Sequence, residues 1–308
     1  MIEKDKQANP EISGLPHNDT EKMPKKTAQL IDGKNLAEKI LLELKGQIAQ
    51  LNRPPGLAVI LIGDDPASKL YVRNKKLACE KVGIVFHSYF CGGTCLPNVT
   101  EIEILKAIDF LNNDPTIDGI IVQLPIPQKF NTQKIINRID PKKDVDGFHP
   151  ENQKKIITGT AIIIPPLIQA VNAALMATQE ELKDKNTIII SKNPIFSEPL
   201  KIYLSNQGLK VETVKPDQGL ADKTKKADIL ITVVGQKHLI KKTMVKPDAI
   251  IIDVGTNLIS ENKWTGDVDQ KVTEVAGWLT PVPGGIGPLT VAFLLTNTYQ
   301  LAKKNLYA

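Results

Sequence analysis

The sequence predicts an α/β protein of two domains, each built on a parallel sheet. Short apolar runs of strand length alternate with stretches of helical period along most of the chain, which is typical of parallel strands covered by helices. The length of 308 residues favours two domains, because single cores stop growing near ~250 residues. The strand and helix pattern of the first half is repeated in the second half.

The first half opens with a predicted helix over Leu36–Leu51, whose apolar residues recur at helical spacing. The apolar run Leu57–Ile62 predicts a buried strand. Asp65 and Pro66 indicate the N-cap and first residue of a helix that ends before Gly83. The elements predicted next are the strand Val85–Phe90, the helix Glu101–Asn112 and the strand Gly119–Gln123.

The second half alternates in the same way, and Pro199 is interpreted as the first residue of one of its helices. The predicted elements are the helix Ile164–Thr178, the strand Thr187–Ser191, the helix Pro199–Gln207, the strands Lys210–Val214, Ile229–Val233 and Ala249–Val254, and the helix Pro288–Lys304.

Composition is that of a soluble globular protein, with 42% hydrophobic and 24% charged residues. The net charge of +5 comes from mixed Lys and Glu, which predicts a solvated surface rather than a nucleic-acid site. No apolar run approaches the ~20 residues that span a bilayer, so we expect no membrane partner. Residues 1–28 are nearly devoid of apolar side chains. We expect them to be disordered, and we expect a cytoplasmic protein because no targeting pattern is present.

The three cysteines, an odd number in a long chain, argue against a disulfide framework. Cys91 and Cys95 have no His or Cys partner pair at metal-ligand spacing. We therefore predict no metal site.

Four motifs in order carry a family resemblance. They are Tyr71–Lys75, Val122–Pro127, Pro141–Pro150 with its Asp-Val-Asp-Gly-Phe core, and Pro281–Thr290 with its Pro-Val-Pro-Gly-Gly start. These strings resemble the bifunctional methylenetetrahydrofolate dehydrogenase/cyclohydrolase family, and the match runs from Ile31 to the C-terminus.

The resemblance implies a domain organisation. Residues 29–152 would form a folate-binding catalytic domain, completed by the C-terminal helix over residues 286–308. Residues 153–285 would form a Rossmann-like NADP-binding domain. The family usually dimerises through this second domain, so the resemblance also implies a homodimer.

Tyr71 and Lys75 lie four residues apart, on one face of a predicted helix. Spacing alone favours an ordinary amphipathic helix with both polar tips in water. The resemblance instead places them on the family's substrate-stacking tyrosine and catalytic lysine. Oxidation of a methylene bridge between two nitrogens leaves a cationic methenyl carbon. A lysine beside such a cation has its own charge disfavoured, so its pKa falls and it can act as a general base.

Gln123, at the end of a buried strand, either satisfies loop backbone groups or, as the resemblance implies, contacts the lysine and helps set its protonation. Asp146 is either a solvated turn carboxylate, as we expect for Asp144, or the family aspartate that accepts two N–H bonds from the pterin. The resemblance adds further substrate-binding residues, where glycines permit close approach of the backbone: Val122, Leu124, Pro283, Gly284 and Gly285.

The cofactor-binding turn departs from the family. Ser191, Lys192 and Asn193 stand where the family has Gly-Arg-Ser, and Ser197 replaces a second glycine. Glycines there allow phosphate to approach backbone N–H groups, and Lys192 lacks the planar fork of arginine. The family's His-Ser pair aligns with Pro216-Asp217, which brings a carboxylate toward a phosphate site. Thr256, in a later loop that still matches, is the fourth predicted cofactor-binding residue.

The resemblance implies NADP-dependent oxidation of 5,10-methylenetetrahydrofolate, followed by hydrolysis to 10-formyltetrahydrofolate. The departures in the cofactor-binding turn predict that NADP binding is impaired. Two alternatives stay open. One is a cyclohydrolase that has lost efficient dehydrogenase activity, and the other is a non-catalytic folate-binding protein.

Overall fold

The computed structural model describes residues 27–92, 98–260 and 263–307. Its elements in chain order are β1 (Gln29–Leu30), α1 (Gly33–Ile48), β2 (Gly56–Ile62), α2 (Pro66–Val82), β3 (Val85–Cys91), α3 (Glu101–Asn113), β4 (Gly119–Val122), α4 (Thr132–Ile136), α5 (Pro150–Ile157), α6 (Pro166–Ala177), β5 (Asn186–Ser191), α7 (Pro194–Asn206), β6 (Lys210–Val214), α8 (Leu220–Thr224), β7 (Ile229–Val233), β8 (Ile250–Asp253), β9 (Asn257–Ser260), β10 (Lys263–Thr265), β11 (Trp278–Leu279) and α9 (Ile286–Tyr307). The N-terminal segment predicted to be disordered lies outside the described residues, apart from residues 27 and 28.

The first half forms a parallel three-stranded sheet in the order β3-β2-β4. All of β2 is buried, because helices cover the sheet. Helix α2 has the predicted ends: the Asp65 carboxylate accepts the N–H of Ser68 at 2.7 Å, and Pro66 is its first residue. Gly83 ends the helix in the left-handed conformation, with φ of 90°. These caps fix the helix that carries Tyr71 and Lys75.

The second half forms a parallel six-stranded sheet in the order β1-β11-β8-β7-β5-β6. From β5 the chain moves outward to β6 and then returns to β7 on the other side of β5. A change of direction of this kind opens a crevice at the carboxyl ends of the two central strands, where ligands of such sheets bind. The fold is thus the predicted α/β arrangement of two parallel sheets.

Strand β1 differs from expectation. We expected residues from 29 onward to belong to the folate domain, but Gln29 and Leu30 pair with Trp278 and Leu279 of β11 in the six-stranded sheet. The backbone N–H of Ala28 also donates to Thr273 O at 2.8 Å. The segment before α1 therefore joins the second sheet, and the exact residues at which the domains divide stay a prediction.

Helix α7 begins five residues earlier than predicted, at Pro194 instead of Pro199. Asn193 is its N-cap, because the side-chain oxygen accepts the N–H of Ile195 at 3.0 Å. Pro199 lies inside the helix, where its missing N–H removes one helical hydrogen bond. Two proline signals lay close together in the sequence, and the side-chain cap selects the first.

The C-terminal helix α9 contacts both halves. Ile286, Leu289 and Ala292 in its first turns belong to a core cluster of the six-stranded sheet. Further along, its buried side chains join the core of the three-stranded sheet: Leu294, Leu295 and Leu301. The predicted return of this helix to the first domain thus applies to its later turns. No helix within the described residues is long and apolar enough to cross a membrane.

Candidate active site

A cavity of about 500 Å³ lies between the two sheets. Side chains of α2, the segment after β4, the loop before α5 and the turn after β5 line it. Predicted site residues that line this cavity are Tyr71, Lys75, Val122, Gln123, Leu124, Asp146, Lys192, Asn193 and Thr256. The structure therefore brings residues from both predicted domains to one cleft.

Lys75 and Gln123 form the central contact of the cavity. Lys75 Nζ donates to Gln123 Oε1 at 2.7 Å, and the amide nitrogen of Gln123 donates to Leu124 O at 2.7 Å. The backbone N–H of Gln123 is held by Ile60 O of the neighbouring strand at 2.9 Å. Gln123 thus follows β4, which ends one residue earlier than predicted, at Val122. Both groups of its amide are fixed, so the oxygen is presented to Lys75.

Charge in the cavity is poorly solvated. Burial lowers the pKa of Lys75 below its usual value, and the nearby Asp146 carboxylate partly opposes this. Burial raises the pKa of Asp146 to about 6; the Lys75 ammonium lowers it, whereas Asp144 raises it further. A lysine that loses its proton more easily than in water suits acid–base chemistry.

Asp144 contradicts the expectation of a solvated turn carboxylate, because it is buried. It accepts the backbone N–H groups of Gly147 at 3.0 Å and His149 at 2.8 Å, and the side-chain N–H of Asn152 at 3.0 Å. These bonds shape the loop that carries Asp146. Asp144 organises the loop, which leaves Asp146 as the carboxylate facing the cavity.

Tyr71 reaches across the cleft. Its hydroxyl donates to Thr256 Oγ1 at 2.8 Å, which joins α2 to the loop after β8. The same two residues also line a second, largely apolar cavity of about 430 Å³. Tyr71 therefore stands between the two cavities, with its ring available to both.

Pro283, Gly284 and Gly285 line the second cavity rather than the first. Gly284 has a φ of 106°, a conformation that favours glycine. Its carbonyl accepts the N–H of Lys34 at 2.9 Å. A Cβ on Gly285 would lie 2.6 Å from Pro281 O, so the turn has no room for a larger residue.

Two buried aspartates that are not among the predicted site residues connect the loops after β7 and β8. Asp267 accepts the N–H groups of Val234 and Gln236 at 2.9 and 2.7 Å. Asp253 accepts those of Gly255 and Asp267 at 2.9 and 3.1 Å. A Cβ on Gly255 would lie 2.1 Å from Asp267 Cγ. In the sequence each aspartate lies within two residues of a glycine, Gly255 after Asp253 and Gly266 before Asp267, and this pairing is the signal that could mark them.

The turn between β5 and α7 satisfies its own polar groups. Ser191 is buried, and its Oγ both accepts the N–H of Asn193 and donates to Asn193 O, at 3.1 Å each. Ser197, also buried, donates from Oγ to Asn193 O at 3.4 Å. Lys192 and Asn193 line the first cavity, whereas Asp217 is exposed and is absent from its lining. Asp217 thus does not line this cavity, and its approach to a bound phosphate stays a prediction.

The described cysteines are poor nucleophiles. Cys79 and Cys91 are free and buried, and burial raises both thiol pKa values, that of Cys79 to about 12. Cys95 lies outside the described residues. Within those residues, no group of three or more His, Cys, Asp or Glu side chains is arranged to hold a metal ion.

Comparison with known proteins identifies both halves. Residues 31–146 match the tetrahydrofolate dehydrogenase/cyclohydrolase catalytic domain, and residues 165–306 match its NAD(P)-binding domain. Over 283 residues the chain is 43% identical to the bifunctional protein FolD of Halalkalibacterium halodurans, covering 90% of this chain and 100% of that protein.

Solved structures of related proteins indicate the same family. The bifunctional FolD of Campylobacter jejuni superposes with a TM-score of 0.85 at 38% identity, over 91% of this chain and 100% of that chain. FolD of Trypanosoma brucei, solved with NADP cofactor and inhibitor, gives a TM-score of 0.87 at 31% identity, over 93% and 100% of the two chains. With both domain models matched in order and the resemblance of its motifs confirmed, the chain belongs to the tetrahydrofolate dehydrogenase/cyclohydrolase family.

Proposed function

We propose that this chain acts in one-carbon folate metabolism as a methylenetetrahydrofolate dehydrogenase/cyclohydrolase. It oxidises 5,10-methylenetetrahydrofolate to the methenyl compound, with NADP as hydride acceptor, and hydrolyses that product to 10-formyltetrahydrofolate. The observation that carries the proposal is the 2.7 Å contact of Lys75 with Gln123 in a cavity that also contains Asp146. A non-catalytic folate-binding protein would have no need for this partly buried lysine with a lowered pKa.

Hydrolysis follows from these residues. A water molecule attacks the methenyl carbon and transfers a proton to the neutral Lys75 amine, giving a tetrahedral intermediate. The bond from that carbon to N5 then breaks, Lys75 returns its proton to N5, and the hydroxyl proton of the intermediate leaves to solvent. The formyl group stays on N10. Gln123 Oε1 accepts a hydrogen bond from Lys75, which holds the amine in place in both protonation states.

Substrate orientation is assigned to Asp146 and Tyr71. The Asp146 carboxylate accepts two N–H bonds from the amino-pyrimidine edge of the pterin. The Tyr71 ring, between the two cavities, offers a stacking surface for a flat ligand. Val122 and Leu124 line the cavity near Gln123, and Pro283, Gly284 and Gly285 line the neighbouring one. A folate that spans both cavities contacts all of these residues.

The fit of the second domain to NADP is uneven. The loops after β7 and β8 keep their glycines and are held by Asp253 and Asp267. The turn after β5, where the pyrophosphate of a dinucleotide lies in sheets of this kind, does not fit a phosphate well. Its serines occupy the places of glycines, and its polar groups are bonded to one another.

The test is an assay of both reactions on the purified chain. Decay of the methenyl substrate, above the rate in buffer alone, reports hydrolysis, and formation of NADPH from the methylene substrate reports oxidation. The proposal requires hydrolysis; a chain that binds folate and accelerates neither reaction contradicts it. A homodimeric state and a cytoplasmic location also stay proposals, tested by light scattering and by cell fractionation.

A further inference from the structure

The first turn of α7 has no backbone donors left for a phosphate. Pro194 has no N–H, and the N–H of Ile195 donates to Asn193 Oδ1 at 3.0 Å. The N–H of Asn193 donates to Ser191 Oγ at 3.1 Å, and that of Phe196 to Asn193 O at 3.3 Å. Phosphate binding at a helix N-terminus depends on donors of this kind being free. Here the turn itself uses them.

Side chains add to this effect. Ser191 and Ser197 are buried beneath the turn and bond to Asn193 O, so they hold Asn193 in its capping position. Phe196 packs its ring edge-to-face on Phe148, with centroids 5.5 Å apart. Because both rings line the cavity, this pair joins the loop of Asp146 to the turn. These contacts stabilise the turn in the conformation in which its polar groups bond to one another.

Few positively charged side chains line the cavity beside this turn. Among the described residues, the lysines that line this cavity are Lys75 and Lys192, and no arginine lines it. Lys75 is already bonded to Gln123. Lys192 is a point charge on a flexible stem, without the paired donors that arginine offers to phosphate. A dinucleotide therefore gains neither a backbone donor from the first turn of α7 nor a bidentate cation beside it.

We infer that hydrogen bonds within the Ser191–Asn193–Pro194 turn occupy the backbone donors that would bind the pyrophosphate. The chain therefore binds NADP weakly and functions predominantly as a cyclohydrolase. This rests on the proposed function. Hydrolysis of the methenyl compound requires only water and the residues of the folate cavity, and it runs without dinucleotide. Oxidation is limited by the occupancy of the second domain at ordinary NADP concentrations.

The experiment restores the missing donors. Ser191→Gly frees the N–H of Asn193, Asn193→Gly frees that of Ile195, and Pro194→Ala supplies a new one. We expect the triple variant to bind NADP at least about tenfold more tightly than the parent in calorimetry, the gain of one good hydrogen bond to a charged group. Ser205→Ala, exposed at the other end of α7, is the matched control and should leave the affinity unchanged.

Tight, low-micromolar NADP binding by the parent chain overturns the inference, and so does a folded triple variant that binds NADP no more tightly. Circular dichroism checks folding; if the triple variant fails to fold, Ser191→Gly alone carries the same prediction at severalfold. A parent chain without hydrolase activity contradicts the proposed function instead, and the NADP titration remains an independent reading of the turn.

Discussion

Asn297 on the C-terminal helix donates a hydrogen bond from Nδ2 to the carbonyl oxygen of Val145 at 2.8 Å. The same nitrogen donates to Ile164 O at 2.9 Å, and Asn297 Oδ1 accepts from Gln169 at 3.0 Å. One buried amide thus connects α9 with the residue next to Asp146 and with the segment before α6. The position of the proposed pterin anchor therefore depends on the C-terminal helix α9.

Replacing Asn297 should therefore affect both stability and substrate binding. Asn297→Ala removes the side-chain donor of the buried Val145 carbonyl and one hydrogen bond each of Ile164 O and the Gln169 amide, at a cost of about 1–3 kcal/mol in the free energy of unfolding. It should also raise KM for the folate substrate more than it lowers kcat, since Lys75 is untouched. Gln300→Ala, exposed on the same helix, is the control. Denaturant unfolding and steady-state kinetics measure the two effects; unchanged KM in a folded variant would contradict the link to Asp146.

Substitutions of Asp146 and Asp144 should differ in their effects on folate binding and on thermal stability. Asp146→Ala removes the proposed pterin acceptor and should weaken binding of a folate analogue by about 10- to 100-fold, from the usual ~1.5–3 kcal/mol of hydrogen bonds to a charged group. Asp144→Ala instead leaves buried N–H groups of its loop unpaired. It should lower the melting temperature more than Asp146→Ala does. Calorimetric titration and thermal unfolding of both variants test this, and equal melting temperatures would argue against the structural role of Asp144.

Folate binding should depend on pH through Asp146. Its pKa is raised to about 6, so the carboxylate is protonated below that pH and loses an acceptor lone pair. Affinity for a folate analogue whose own ring does not titrate nearby should therefore rise as pH increases through about 6. Asp146→Asn, which cannot titrate, should give weaker binding with little change between pH 5 and pH 7.5. A wild-type affinity that is flat over this range contradicts the assignment.

The same raised pKa has a consequence for folding. Asp146 takes up its proton at a higher pH in the folded than in the unfolded chain. The folded state therefore binds more protons between about pH 4 and pH 6, and the contribution of Asp146 to stability decreases as pH rises through that window. The carboxylate thus contributes less to folding at the pH at which it is charged and able to bind the pterin.

Local signals predicted the helices well where one cap was present. Asp65, Pro66 and Gly83 define α2 from the sequence because each acts on its immediate neighbours. The predicted first residue of α7 is wrong by five positions, because Pro194 and Pro199 both fit a first-turn position. Only the Asn193 cap distinguishes them. Gln29 could not be placed, because its hydrogen-bond partner Gly277 is distant in the chain.

The candidate site was predicted through motif resemblance and not through local patterns. Spacing alone predicts that Tyr71 and Lys75 lie on one face of an amphipathic helix. The contact of Lys75 with Gln123 depends on how α2 packs near the end of β4, which spacing does not show. Asp144 was misjudged because the direction of a turn carboxylate depends on Asn152, eight residues later. The self-bonding of Ser191 is equally invisible in sequence, where serine for glycine indicates only added bulk.

Lys75 is the proposed acid–base group of the reaction, and the hydrolysis rate of Lys75→Met tests this role most directly. The matched control is Lys76→Met, the next residue of α2, which is exposed. General acid–base groups typically contribute ~10²–10⁴ in rate, so Lys75→Met should hydrolyse the methenyl substrate at least about 100-fold more slowly, with folate-analogue binding retained. Lys76→Met should stay close to the wild-type rate. Wild-type hydrolysis by a folded Lys75→Met protein would remove Lys75 from the mechanism.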